Sequence, residues 1–344
     1  MPASSETFRA VILAAGKGTR LHPLTATRPK ALMPLAGKPL LVHNIERVRD
    51  AGIDDITVVI DAESDAIPTA LGDGAALNVR LRYVVQEQQL GTAHAVRVAA
   101  DILNDGRPFM VTFCDNVTFF PLKTLVDTYC SQPATATLAL KPSPQPKGGI
   151  AEVRDGRVVR VQEGPTQWFS PLVMAGMYIF APPLWEALEH IPPSAQGEYY
   201  LPDAVQWLID RGHRVTYCLC ADWRLNVNRP EEMLAANHYL LEKQTTDLAT
   251  PNVTPPAFIG KNVTMAPDAR VGPYVSIGDG CRIGAGATVA DAILFEGVTV
   301  GDGCTVRHCI LGAGSHVAAG VTIVAVERVV VVGDGGNFTV NGLR

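Results

Sequence analysis

The chain has no run of about 18 apolar residues, the length that a membrane-spanning helix requires. Its opening residues 1–7 carry neither the basic start nor the apolar stretch of a secretory signal, so none is expected. Positive charge is also short. With 29 Lys and Arg against 34 Asp and Glu the net charge is −5, which argues against a nucleic-acid or polyanion partner; with no apolar run of spanning length, no membrane partner is expected either. An anionic ligand must then be held by a few local cations. Cysteine is sparse and odd in number, with seven residues, and Cys218-x-Cys220 lacks a second pair at zinc spacing. Buried free thiols in a reduced, cytoplasmic protein are the expectation. What is plentiful is glycine, proline and apolar side chain, spread over 344 residues, which suits a turn-rich globular chain of two domains.

Residues 10–30 read AVILAAGKGTRLHPLTATRPK. The run Ala10-Val11-Ile12-Leu13 is a buried strand by composition. It breaks into Ala14-Ala15-Gly16-Lys17-Gly18-Thr19-Arg20, small residues with two glycines and two cations. A backbone of this kind can approach a ligand closely and turn successive N–H groups toward phosphate oxygens. The dinucleotide fingerprint fails, because Leu21 stands where its third glycine would be. A P-loop fails too, since no Gly-Lys-Ser/Thr closes a long loop. The order G-x-G-x-R-L followed by Pro29-Lys30 resembles the signature of the sugar-1-phosphate nucleotidylyltransferases. That resemblance implies nucleotide contacts from Leu13 through Arg20, with Arg20 and Lys30 in catalysis.

Apolar segments over 56–60, 81–85 and 109–113, alternating with helical stretches such as 40–50, predict an α/β domain with a Rossmann-like, mostly parallel sheet. Ligands in such sheets sit beyond the carboxyl ends of the strands. Two motifs fall there. Gln86-Glu87-Gln88-Gln89-Leu90-Gly91-Thr92 follows the third strand and resembles the family's base-reading segment, which implicates Gln86, Leu90, Gly91 and Thr92. The glutamine amide offers an acceptor beside a donor, matching uracil, thymine or guanine and rejecting adenine and cytosine. His94 reads as a helix residue, not a ligand. Phe113-Cys114-Asp115-Asn116 closes the fourth strand on an acid, the kind of donor that Mg²⁺ shares with phosphate oxygens and water. In the family an aspartate here is a magnesium ligand, so Asp115 is the expected metal residue; a turn-capping role is the plainer alternative.

The resemblance further places the sugar phosphate against Lys30, Asn116, Gly149, Glu163, Met174 and Gly176. Here the chain departs from its relatives. Glu163-Gly164-Pro165 stands for Glu-Lys-Pro, Met174-Ala175-Gly176 for Asn-x-Gly, and Pro202 for a threonine before Asp203. A thioether cannot donate, and a sugar hydroxyl left unpaired costs on the order of 1–3 kcal/mol. The expected acceptor is therefore a deoxygenated or carbocyclic sugar-like 1-phosphate, unless Met174 is simply core. Relatives with Trp-x-Asp use that Asp as second metal ligand; Asn226 aligns with it here, and Asn228 is close by.

From 259 onward Ile259, Met265, Val271, Ile277, Ile283 and Val289 recur every six residues, and Val300, Val306, Val317 and Ile323 continue the pattern after slips near 292 and 310. This is the hexapeptide repeat of a left-handed parallel β-helix. The expected division is a catalytic domain over 1–232, a helical linker over 233–254, the β-helix over 255–328 and a tail over 329–344. The whole implies Mg²⁺-assisted transfer of a nucleoside monophosphate from UTP, dTTP or GTP to a sugar-1-phosphate, by a homo-oligomer joined through the β-helix. An added acyltransferase activity using His308 or His316, and a non-catalytic regulatory subunit, are the competing expectations.

Overall fold

The computed structural model describes residues 8–62, 65–220, 224–244, 251–324, 328–339 and 342–343. Residues 1–7, read above for a signal, lie outside them, as do Trp223 and part of the expected linker and tail. The chain forms two compact units: Met1–Gly16 with Leu41–Arg224, and Lys17–Leu40 with Leu225–Arg344.

The first unit is built on a nine-stranded mixed sheet. Strands β1 (Arg9–Leu13), β2 (Asp55–Asp61), β3 (Arg80–Gln86) and β4 (Phe109–Phe113) run parallel, with β1 between β2 and β4. The centres of β1, β2 and β4 are buried on both faces, which is why they read as continuous apolar runs; β3 lies at the edge of the sheet and is only part-buried, with Val85 exposed. Helix α1 (Leu40–Asp50) spans the predicted segment; α2 (Thr92–Arg97) follows β3 and α3 (Leu122–Ser131) follows β4.

Beyond β4 the sheet changes direction. Strands β5 (Ala136–Pro142), β6 (Gly149–Arg154), β7 (Arg157–Glu163) and β8 (Leu172–Phe180) come next, and β8 lies antiparallel to β4, β5 and β6. The β6–β7 hairpin turns on Asp155-Gly156, both at positive φ, the geometry of a two-residue type I′ turn. In β8 the register with β5 slips between Met174 and Tyr178, and Gly176 sits in that bulge at φ 70°. Helix α4 (Leu184–His190), helix α5 (Leu201–Asp210) and β9 (Val215–Leu219), parallel to β5, complete the unit. A buried cluster that includes Val111, Leu138, Tyr178, Phe180, Trp185 and Val205 joins the sheet to these helices.

In the second unit helix α6 (Pro230–Lys243) precedes short parallel strands stacked as a three-faced β-helix. Residues on the six-residue grid from Val271 to Ile323 are all buried, and Cys281 and Cys304 fill small interior positions. Coil length explains the two slips. Ala257 stands over Val275, 18 residues on, whereas Val275 stands over Ala292 and Ala292 over Cys309, each 17 residues on. Relative to the corner at Tyr274, one residue is lost at the equivalent corners of Asp291 and His308; the three adopt φ 60°, 49° and 54°. Asp291 accepts hydrogen bonds from His238 of α6 (2.6 Å) and from His308 (2.7 Å). Partial burial raises its pKa, but the two imidazoles outweigh this and hold it below the usual carboxylate range. His308 is thus a corner residue fastened to the coil below it.

Candidate active site

Within the first unit, the end of β1 is tied on both sides. Ala14 N donates to Val59 O (2.8 Å) and Cys114 N to Leu13 O (3.0 Å). Gln89 Nε2 donates to Ala15 O at 2.7 Å and also reaches Asp61. Gln89 belongs to the glutamine-rich motif, yet only the structure shows that it braces the loop. Gln86 itself is buried, and its Nε2 donates to His94 Nδ1 (3.0 Å) and to Gly91 O (3.4 Å). An amide can only donate through that nitrogen, so His94 accepts at Nδ1 and carries its proton on Nε2. Burial, then the nearby Arg97, lowers the His94 pKa and keeps the ring neutral.

The Leu90-Gly91-Thr92 turn is pinned by a neighbouring segment. Tyr199 N donates to Leu90 O (2.8 Å), Ala93 N to Tyr199 O (2.9 Å), and Leu201 N to Thr92 Oγ1 (3.1 Å). Gly91 adopts φ 95°, and a Cβ there would stand 2.5 Å from Tyr199 O, so only glycine fits. At the end of β4, buried Asn44 donates to Cys114 O at 2.8 Å and fixes the peptide that carries Asp115. Asn116 is buried beside it and donates to the carbonyls of Ala175 (3.3 Å) and Gly176 (3.2 Å). The side chain of Asn116 therefore joins the Asp115 turn to the β8 bulge.

Glu163, Met174 and Pro202 come together around Gly149. A Cβ at Gly149 would lie 3.0 Å from Met174 Sδ, 3.0 Å from Pro202 Cγ and 3.3 Å from Glu163 Oε2. Two of the three departures from the family pattern thus converge on one glycine. Met174 is also 7% exposed and part of the buried cluster, so it packs within the core. Glu163 and Asp203 open into a cavity of about 510 Å³ lined also by Ser194, Tyr200 and Trp207. Burial, with Asp203 beside it, pushes the Glu163 carboxyl up to about 6.

In the second unit Gly18 turns at φ 62°, where a Cβ would stand 2.9 Å from Lys30 Cβ. Thr25 Oγ1 donates to Gly18 O at 3.2 Å, and Leu21 N at 2.8 Å. Gly16, Lys17, Thr19 and Arg20 are exposed, while Lys30 is half-buried. Lys30 Nζ donates to Asn228 Oδ1 at 2.9 Å, and Asn228 N donates to Glu232 Oε2 at 2.7 Å. Asn226 differs: its Oδ1 is buried with no hydrogen-bond partner among the described residues. The two asparagines that the sequence left in competition have separate surroundings.

A strand feeding a cation-bearing glycine loop, an acid at a neighbouring strand end and a β-helix together define a class. The nucleotidyl transferase family matches residues 9–243, and the GMPPB C-terminal domain matches residues 253–341. The chain belongs to the nucleotidyl transferase family, and its activity is that of a sugar-1-phosphate nucleotidyltransferase. Among its relatives, the glucose-1-phosphate thymidylyltransferase of Streptomyces griseus is 32% identical over 300 residues, covering 80% of this chain and 84% of that protein. The UTP–glucose-1-phosphate uridylyltransferase AglF of Haloferax volcanii is 32% identical over 242 residues, covering 69% of this chain and 98% of that protein. A crystal structure from Bacillus anthracis, assigned as a glucose-1-phosphate thymidylyltransferase and in complex with a sucrose, shares the fold. Its TM-score is 0.64 at 24% identity, over 70% of this chain and 97% of that one. The family acts on a nucleoside triphosphate and a sugar-1-phosphate and is typically Mg²⁺-dependent. No helix among the described residues is long and apolar enough to cross a membrane.

Proposed function

We propose that this cytoplasmic enzyme transfers a nucleoside monophosphate from UTP, dTTP or GTP to a sugar-like 1-phosphate whose ring is deoxygenated or carbocyclic. The observation that carries the acceptor reading is the convergence of Met174 Sδ and Pro202 Cγ on Gly149. Where relatives place groups that can donate to a hydroxyl, this chain offers apolar surface. Glu163 remains to accept one hydroxyl from the ring. Gln86 Oε1 accepts the N–H that uracil, thymine and guanine share, which adenine lacks at the matching position. The relatives' names include both a thymidylyl- and a uridylyltransferase, in keeping with that range.

In this reading Lys17 and Arg20 hold the β- and γ-phosphates, and Lys30 spans the acceptor phosphate and the α-phosphate. An acceptor phosphate oxygen attacks the α-phosphorus in line, the bond to the β-phosphate oxygen breaks, and pyrophosphate leaves. No proton need move, so positioning and charge carry the rate. Asp115 and Asn226 suit Mg²⁺: one hard carboxylate, one amide oxygen that is buried and unpartnered among the described residues, and no group of three His, Cys, Asp or Glu there to form a cage. When bound, the ion would neutralise charge on the α-phosphate. Asn116 is assigned to the acceptor side, bracing the Asp115 turn against Gly176. The β-helix is assigned to assembly of a homo-oligomer, over the domain limits given above.

A matrix of UTP, dTTP and GTP against sugar, deoxysugar and cyclitol 1-phosphates, read by pyrophosphate release, tests the substrates. Met174→Asn is expected to shift preference toward fully hydroxylated sugars by about tenfold, the worth of one regained hydrogen bond of roughly 1.4 kcal/mol. A native preference for N-acetylglucosamine-1-phosphate would refute the acceptor reading.

Glu163 makes a separate prediction. Its folded pKa is about 6, so its carboxylate is present at pH 7.5 and is lost as pH falls through 6. A hydroxyl donor then loses its acceptor, and KM for the acceptor should be about tenfold higher at pH 5 than at pH 7.5. Glu163→Gln should raise KM at pH 7.5 and flatten that rise; an unchanged profile in the variant would remove Glu163 from the acceptor site.

A further inference from the structure

The segment that carries Lys30 lies in the same compact unit as the β-helix and is fastened to it at successive points. Pro23 rests against Gly333, where a Cβ would stand 3.2 Å from the proline Cβ. Thr27 Oγ1 donates to Asp334 Oδ2 at 2.6 Å. Arg28 pairs with Glu296 and lies over the ring of Phe295, 5.2 Å from its centroid, and Phe295 is fully buried. At the far end Gly37 is crossed by Phe258, so closely that a Cβ would meet the ring at 2.3 Å.

The receiving side is cross-linked from coil to coil. Asp279, Asp302 and Asp334 each accept a backbone N–H from the coil before their own: Lys261 (2.7 Å), Ala285 (2.8 Å) and Ala313 (2.7 Å). Asp334 differs from a plain coil cap because its second oxygen takes Thr27. Arg28 is two residues from Lys30, and on its other side Lys30 Nζ meets Asn228. The lysine is therefore set from two directions, by Asn228 at its head group and by the β-helix through the backbone that bears it.

We infer that the β-helix is a working part of the catalytic apparatus, and that Thr27, Arg28, Glu296 and Asp334 are positioning residues that set Lys30 for the transfer step. This rests on the role given to Lys30 above. Reacting groups gain most of their rate from being held in place, and a displacement of about 1 Å can cost on the order of 100-fold. An exposed ion pair alone would have no such effect on turnover.

The test uses the full chain and four variants: Arg28→Glu, Glu296→Arg, the two combined, and Thr27→Val. Steady-state pyrophosphate release gives kcat and the two KM values, and thermal melting reports folding. Each single variant is expected to lower kcat by roughly tenfold with smaller changes in either KM, because the loss is one of orientation and not of substrate binding. The charge exchange should recover most of kcat, which a role in folding alone would not predict when melting is unchanged. Thr27→Val removes one hydroxyl and leaves the Asp334 cap on Ala313 intact, so it remains informative if a charge reversal disturbs the coil. Lys30→Ala is run alongside. Loss of turnover there with kcat within twofold of native in Arg28→Glu, Glu296→Arg and Thr27→Val overturns the inference alone; normal turnover in Lys30→Ala overturns the reading beneath it.

Discussion

Lys30→Ala should lower kcat by about 100- to 1,000-fold, the usual loss when one preorganised charge aimed at the transition state is removed. The fold should survive. Lys30 is half-buried at the surface of its loop, and the buried side chains around it, Leu21, Leu24, Met33 and Leu35, belong to other positions. The substitution removes the bond from Nζ to Asn228 and the stem packed on Gly18, a modest change beside the core. Lys30→Arg should not restore the rate, because a planar fork cannot take the place of a compact ammonium set against the Asn228 amide oxygen. Turnover with saturating substrates, together with a melting curve, distinguishes these outcomes. A native rate in Lys30→Ala would end its assignment to the attacking and α-phosphates.

Asp115→Asn is the second large effect. The turn that presents Asp115 is held by Asn44 on the Cys114 carbonyl and by Cys114 N on Leu13 O, so the substitution should leave the backbone in place. It exchanges a carboxylate for an amide. If Asn226 is the other protein donor, the site then retains no anionic ligand, and Mg²⁺ would depend on the phosphates alone. Activity at 1 to 10 mM Mg²⁺ should fall by about 100-fold or more, and higher Mg²⁺ should recover part of it. A direct titration of Mn²⁺ in the presence of nucleotide should show weaker binding in the variant. Unaltered Mn²⁺ affinity would remove Asp115 from the metal site even if activity fell. Asn226→Ala should act in the same direction but less strongly, since it loses an oxygen without charge.

Much of this architecture was legible in the residues. The helix expected over 40–50 is Leu40–Asp50, and the strand expected over 109–113 is Phe109–Phe113, because apolar runs ending at glycine or an acid report buried strands directly. The six-residue grid announced the β-helix because every coil repeats the same inward position. Other features were out of reach of local pattern. The slips in the grid look like irregularities, whereas they mark coils of 17 residues closed by left-handed Asp291 and His308, both of types enriched in that conformation, while the equivalent Tyr274 is not. The antiparallel arrangement of β8 beside β4 depends on pairings between strands that local periodicity does not specify. At the site, Lys30 meets Asn228 across most of the chain, and Gly149, Glu163, Met174 and Pro202 meet from four separate stretches. Such neighbours follow from tertiary packing, which composition near each residue cannot encode.

The membership of Lys17–Leu40 in the unit of the β-helix has a consequence for how such enzymes can be recombined. A fusion joined after Arg224 would appear to exchange one intact module for another. It would instead set a foreign β-helix against residues 23–37 that were shaped for Glu296, Phe258, Gly333 and Asp334. Catalytic halves and C-terminal halves in this lineage are therefore expected to be inherited together, or exchanged only with that loop included. A chimera carrying residues 17–40 from the donor of the β-helix should outperform one that does not.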